Sequence, residues 1–322
     1  MDLRLAVYEL TARHELDADA RRRLHALAGL DDEPKQLEPT MMKGLAMLSA
    51  FLGGTGIVFW IAANWDSFGR AGRFALLQGF FVVMCLGAAR LPQARAALAT
   101  VAFMTMGGLF AYFGQTYQTG ADPWQLFATW SLLSLPLCFA VKSDALWTAW
   151  CWVTMTGISL WVAALSGHRW SFTRTSSVVH LSGWGLALAT CGMLTPLVAR
   201  VTGAGKWSCR SAIALTMVMI SLSGLIDLFD RGEDILFPLA LAIAATAAIV
   251  LIQPKRLDVF NLSAVGLCLD TLLIALLAKV LVDRNEIFGL LMLGLSAAAI
   301  LGGTVHIIVS AARNANQLGG EQ

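Results

Sequence analysis

The chain has 322 residues, 57% hydrophobic and 14% charged, against roughly 25% charged in a soluble domain. Its formal net charge of +2 is too small to mark a nucleic-acid binder. The composition excludes an ordinary water-soluble domain; membrane lipid is the expected partner and no nucleic acid is.

Charge is concentrated at the start. Residues 1–43 hold 7 of the 23 Lys+Arg and 9 of the 21 Asp+Glu. Asp17 suits an N-cap for a helix over Ala18 to Ala28, with Gly29 as its stop. Leu24, Leu27 and Leu30 give that helix a short apolar stripe, and residues 31–39, with Pro34 and Pro39, read as a linker. Arg21, Arg22 and Arg23 are flanked by acids and read as a solvated helix face in preference to a lipid-binding patch. The first apolar run follows this polar head, so that span is expected to direct insertion in place of a cleavable signal.

Ten apolar stretches follow, at 44–64, 73–90, 96–115, 124–141, 144–165, 177–199, 208–226, 235–253, 257–281 and 286–311. Each is close to the ~20 residues that cross a bilayer. Lipid satisfies no backbone N–H or C=O, so such spans must be helical. The expectation is an all-α polytopic membrane protein: a cytoplasmic head and linker at 1–43, a transmembrane bundle at 44–311 and a cytoplasmic tail at 312–322. The break at Lys142–Asp144 decides the parity of every later span.

Lys and Arg favour cytoplasmic loops. With the N-terminus inside, 16 of the 23 fall on the cytoplasmic side and 7 outside, so both termini are read as cytoplasmic. Trp65, Trp124, Trp147, Trp170 and Trp207 stand near expected span ends, where an amphipathic ring is at home. Trp150, Trp152 and Trp161 fall within the fifth span and read as packing. Glycine-rich spans allow close helix approach; they serve a homodimer and intramolecular packing equally, so the oligomeric state stays open. The six cysteines share no CxxC spacing and read as small packing residues, with no metal site and no cofactor expected.

Two places could carry function. The first is an outer rim where the first span closes on Asn64, Trp65 and Asp66, the second opens near Arg73, and the third runs out through Gln115, Tyr117, Gln118, Asp122 and Trp124. Amides, carboxylates and aromatics at one level suit a polar ligand in a headgroup-level cleft. The competing reading has Asn64 and Gln115 capping helix ends, Asp66 pairing with an arginine and Asp122-Pro123 starting a helix. The second place is Asp270, in mid-span nine. A carboxylate there must be neutralised, paired or wetted. No Lys or Arg shares its expected depth, which leaves a protonated carboxyl, a polar cavity, or hydroxyls such as Thr216, Ser221 or Thr156. As a functional group it would be an intramembrane proton or cation relay. His180 and His306 sit toward opposite faces and read as packing. Asp227, Asp230, Glu233 and Asp234 read as a solvated acidic loop.

The sequences Ala62-Ala63-Asn64-Trp65-Asp66 and Gly114-Gln115-Thr116-Tyr117 carry a resemblance. With the short helical head, they make the chain similar to the bacterial multi-pass membrane proteins catalogued as domain of unknown function 2157. The resemblance covers residues 1 to about 140 and implies a bacterial cytoplasmic (inner) membrane location. It lends architecture and carries no activity. No Walker, HExxH, GxSxG or CxxC signature is present. The expected function is therefore binding or transport of a small or lipidic polar ligand through an outer-facing cleft, and catalysis is not expected. The alternatives are an assembly protein docking a cytoplasmic partner through its head, and a membrane enzyme on a lipid-linked substrate using Asp66 and Asp122.

Overall fold

The computed structural model describes residues 7, 10, 11, 13, 17–28, 37–64, 67–117, 120, 122–166, 174–229, 235–253, 257–282 and 286–319. The described secondary structure is helical throughout. The chain forms two compact units, Met1–Leu52 and Gly53–Gln322.

In the first unit, α1 spans Ala18–Leu27, and the Asp17 carboxylate accepts from the Ala20 N–H at 2.8 Å, satisfying one orphan donor of the first turn. Helix α2 spans Leu37–Ala63 and carries the chain across the boundary into the second unit. It begins within the expected linker, because Pro39 falls in its first turn, where a missing N–H goes unused.

The second unit contains α3 (Arg70–Arg90), α4 (Arg95–Tyr117), α5 (Pro123–Val141), α6 (Asp144–Leu165) and α7 (Arg174–Met193). After these come the single turn α8 (Ala199–Thr202), then α9 (Lys206–Phe229), α10 (Leu236–Leu251), α11 (Val259–Val282) and α12 (Glu286–Gly319). Seven of these helices, α3, α4, α5, α6, α9, α11 and α12, are long and apolar enough to cross a membrane, and α10 is a shorter apolar helix. Helices α2 and α7 also overlap apolar stretches of the sequence, the first and the sixth. One end differs. The sixth span was expected to reach residue 199, but α7 stops at Met193. Pro196 disfavours helix at the residue before it and cannot donate to the ladder, so the chain turns there before α8.

The break between α5 and α6 is built into the backbone. Lys142 adopts a left-handed conformation (φ 52°) and its N–H closes on the Cys138 carbonyl. Gly203, also left-handed (φ 72°), lies against it: a Cβ there would come within 2.3 Å of the Lys142 Cβ. Both the sign of φ and the space demand glycine.

Packing centres on α6 and α9. Helix α9 lies against α6, α7, α10 and α11, and α6 also against α4, α5 and α7. Helix α12 packs on α11. Between apolar helices in lipid the association energy comes from close packing and hydrogen bonds. Indole N–H groups supply several cross-helix bonds: Trp130 to the Phe103 carbonyl (3.0 Å), Trp150 to Ser131 (2.8 Å) and Trp147 to Thr202 (2.6 Å). Trp147 was expected at the lipid interface. It is wholly buried instead, with Trp150 edge-on at 5.3 Å, because its N–H finds a carbonyl inside the protein.

Three carboxylates close helix ends. Asp144, at the start of α6, accepts from the N–H groups of Gly205, Trp207 and Ser208 at 2.9, 3.0 and 2.9 Å, capping α9 across the bundle. Asp258 accepts from the Phe260 and Asn261 N–H groups and pairs with Arg210 at 3.0 Å, the guanidinium lying over Trp207 and Phe260. At the opposite end Asp227 accepts from the Phe237 N–H at 2.9 Å, and Lys279 donates to the Leu228 carbonyl. Asp227 was expected in a solvated loop; it is 2% exposed and caps α10, a role that removes an orphan donor from an apolar environment. Asp230, Glu233 and Asp234 lie outside the described residues.

Replacing Asp144 by Ala leaves three N–H groups of the α9 start without their acceptor. The expected loss is about 2 kcal/mol, at the upper end for a helix cap, read as a lower thermal midpoint of the purified protein. Asp144→Asn should recover part of it. Asp258 gives an acid dependence. Burial would raise its carboxyl, but the Arg210 hydrogen bond and charge and the Asn261 and Phe260 N–H groups outweigh this and hold it below its ordinary 3.8. A depressed folded value means that the stabilisation is complete above the ordinary value and is lost as pH falls through the lower folded one. The gap in thermal midpoint between wild type and Asp258→Asn should therefore close on acidification below about pH 4.

Candidate functional site

The start of α3 and the end of α4, expected on one side of the membrane, do meet. The Tyr112 hydroxyl donates to the Arg70 carbonyl at 3.5 Å, and Phe74 lies 4.6 Å from the Tyr112 ring and 6.2 Å from that of Tyr117. The start of α5 completes a cleft of about 920 Å³, whose walls include Phe74, Gln78, Phe113, Gln115, Asp122 and Gln125. That volume lies in the usual range for ligand sites.

Two of the expected rim residues stand in its lining. Gln115 is exposed and makes no hydrogen bond among the described residues, so it does not serve as a helix cap. Asp122 is the N-cap residue of α5 by position, yet its carboxylate makes no cap hydrogen bond. Both polar ends thus line the cleft without a hydrogen bond to the described residues. Asp122 is the charged group of the described lining, among amides, a hydroxyl and aromatic rings.

The remaining rim residues divide. Asn64 performs the structural role: its side-chain N–H donates to the Trp60 carbonyl at 2.9 Å, closing α2. Tyr117 is exposed and packs on Phe113 at 4.7 Å, beside the cleft. Arg73 is half-buried in the first turn of α3, outside the cleft lining. Trp124 follows Pro123, and its buried indole N–H has no acceptor among the described residues. Trp65, Asp66 and Gln118 lie outside the described residues.

Asp270 sits elsewhere. It is 4% exposed in the middle of α11, and one carboxyl oxygen accepts from the Thr304 hydroxyl of α12 at 2.6 Å. The hydroxyls expected as partners are engaged otherwise: Thr156 and Ser221 donate to carbonyls of their own helices, and Thr216 pairs with Cys191. Gly266 explains the choice of Thr304, since a Cβ on Gly266 would come within 2.8 Å of the Thr304 methyl, so glycine lets α12 approach. The rim cleft is walled by α3, α4 and α5, whereas α11 packs on α9, α10 and α12. The two expected polar places therefore belong to different groups of helices.

Sequence reading missed Phe74, Gln78, Gln125 and Thr129 in the cleft. A signal was there: Phe74 and Gln78 are four residues apart on α3, on one face of the helix. Gln125 and Thr129 repeat that spacing on α5.

Residues 8–147 match the model of the family described as Predicted membrane protein (DUF2157). This is the family indicated by Ala62 to Asp66 and Gly114 to Tyr117, and the match takes in the whole rim cleft. No curated protein and no solved structure matches the chain.

The Asp270–Thr304 bond predicts a modest stability term. Thr304→Val should lower stability by about 0.6 kcal/mol, the usual size of an interhelical hydrogen bond in a membrane protein. In a double-mutant cycle with Asp270→Leu, measured by unfolding in mixed micelles, a coupling energy near zero would show that the contact carries no stability.

Proposed function

We propose that this is a ten-span protein of a bacterial cytoplasmic membrane, with both termini cytoplasmic, that binds a polar or lipid-borne headgroup in the rim cleft and passes it across the bilayer. The observation behind this reading is the presence of Gln115 and Asp122, neither hydrogen-bonded through its side chain among the described residues, on the wall of one cleft of about 920 Å³. The lining sets the ligand class. Amides, one carboxylate and aromatic faces favour a neutral hydroxylated or a cationic head over an anionic one, which Asp122 would repel. In the transport form of the reading Asp270 is the relay; its support is a carboxyl held in mid-span by a single hydroxyl among the described residues. The enzyme alternative has little support, because the described lining holds one carboxylate and not the pair that acid–base chemistry would use.

The test uses the full chain in nanodiscs and a fluorescent monoglucosyl diacylglycerol as a neutral hydroxylated probe. Gln115→Ala should weaken its binding about 3- to 10-fold and Asp122→Ala about 10-fold or more, from the loss of a neutral and a charge-assisted hydrogen bond. Asp270→Asn should leave binding intact and slow transfer of the probe between leaflets of reconstituted vesicles. Unchanged binding in both rim variants overturns the binding site, and unchanged transfer in Asp270→Asn removes the relay.

A further inference from the structure

A second cavity, of about 500 Å³, lies between α6, α7 and α9. It is separate from the rim cleft, and its polarity is graded. Ser159, His180 and Ser223 each stand six residues from the rim end of their helix (Leu165, Arg174 and Phe229). At 1.5 Å per residue, all three lie about 9 Å below that end. Met155 and Met219 line the cavity about 15 Å down and Leu215 about 21 Å down. The cavity thus runs from a polar upper level to an apolar floor across about the depth of one leaflet, half of the ~30 Å hydrocarbon core. Trp152, Val218 and Leu222, each more than half exposed, line it as well, so it opens sideways to lipid.

The polar level contains a donor with no partner among the described residues. Thr148, Thr154 and Thr156 of α6 all donate to carbonyls one turn back. Ser159, exposed at the cavity wall, makes no hydrogen bond among the described residues. A hydroxyl left unsatisfied in hydrocarbon is unfavourable by about 1–3 kcal/mol. The groups beside it are already committed. The Ser223 hydroxyl donates to the Met219 carbonyl at 2.9 Å, so its oxygen accepts from His180 Nδ1 at 3.1 Å and from the Trp184 indole at 3.4 Å. His180 Nδ1 therefore carries a hydrogen in this arrangement.

We infer that this cavity is a lipid site that holds one ester-linked acyl chain of a phospholipid from the rim-side leaflet. The chain lies over Met155, Met219 and Leu215, and the ester carbonyl accepts from the Ser159 hydroxyl. An acyl ester suits the gradient: one acceptor at the level of Ser159, no charge, and hydrocarbon below.

The experiment uses the full-length protein in phosphatidylethanolamine vesicles doped with phosphatidylglycerol bearing a diazirine in one chain, as a diester or as a diether. Photolabelled positions are mapped by mass spectrometry. In the wild type, the diester should label Met155 to Ala163 and Leu215 to Leu222 about 2- to 10-fold more than the diether, the worth of one hydrogen bond. Ser159→Ala should abolish that preference. Ala163→Trp, at an exposed position of the cavity wall, should remove labelling there while labelling of the lipid-exposed α12 residues stays unchanged. Equal labelling by diester and diether in the wild type, a preference that survives Ser159→Ala, or labelling insensitive to Ala163→Trp would each overturn the assignment.

Discussion

The bundle depends on one carboxylate. Asp144 starts α6 and takes up three N–H groups at the start of α9, fixing together the two helices that touch most of the others. The geometry leaves little slack, since a Cβ on Gly205 would come within 2.6 Å of the Asp144 carboxylate. The reason lies in the solvent. Hydrocarbon cannot solvate the four orphan donors of a helix start, so they must find acceptors in the protein or lie at the water interface. Asp258 and Asp227 answer the same need for α11 and α10.

Polar side chains within the spans follow a second rule. Most hydroxyls are spent on the carbonyl one turn back in their own helix, as at Thr100, Thr105, Thr129 and Thr246. Such a residue costs the membrane little, and it acts between helices only where its oxygen also accepts, as Ser223 does from His180 and Trp184. The informative positions are those that break the rule. Thr304 donates across to Asp270, Gln115 and Asp122 reach into a cleft, and Ser159 donates to nothing described. Departures of this kind, and not polarity in itself, separate functional candidates from satisfied packing residues.

The helices were legible from hydropathy because lipid imposes a length and a composition on each span, and the αL turn at Lys142 is what gives the break between α5 and α6 its sharpness. The meeting of the α3 start with the α4 end was legible too, since parity alone puts them at one end. Which residues face a common space was not. Asn64 and Gln115 are both amides at span ends, yet one caps its own helix and the other lines a cleft, a difference of helix phase that no local pattern records. Asp227 was misread because a run of acids after a span looks like a loop. Helix α9 extends to Phe229, beyond its hydropathy boundary, and carries that residue inside. Thr304 was missed as the partner of Asp270 because the choice rests on Gly266, one turn away, letting a neighbouring helix come close.

Ties and cavities are distributed unequally. Helices α9 and α11 are bonded near both ends, through Arg210–Asp258 at one and Lys279–Leu228 at the other, and α10 is bonded to α9 at that second end through Asp227–Phe237. Helix α6 is held to α9 by Asp144 at one end, and the described residues show no hydrogen bond between these two helices toward the other, where the 500 Å³ cavity lies beside them. The rim cleft likewise opens at the end of α4 and α5 that is far from Lys142 and Gly203. Lipid exerts no hydrophobic pressure to close such space, so it persists even beside contacts such as Tyr112–Arg70 and His180–Ser223.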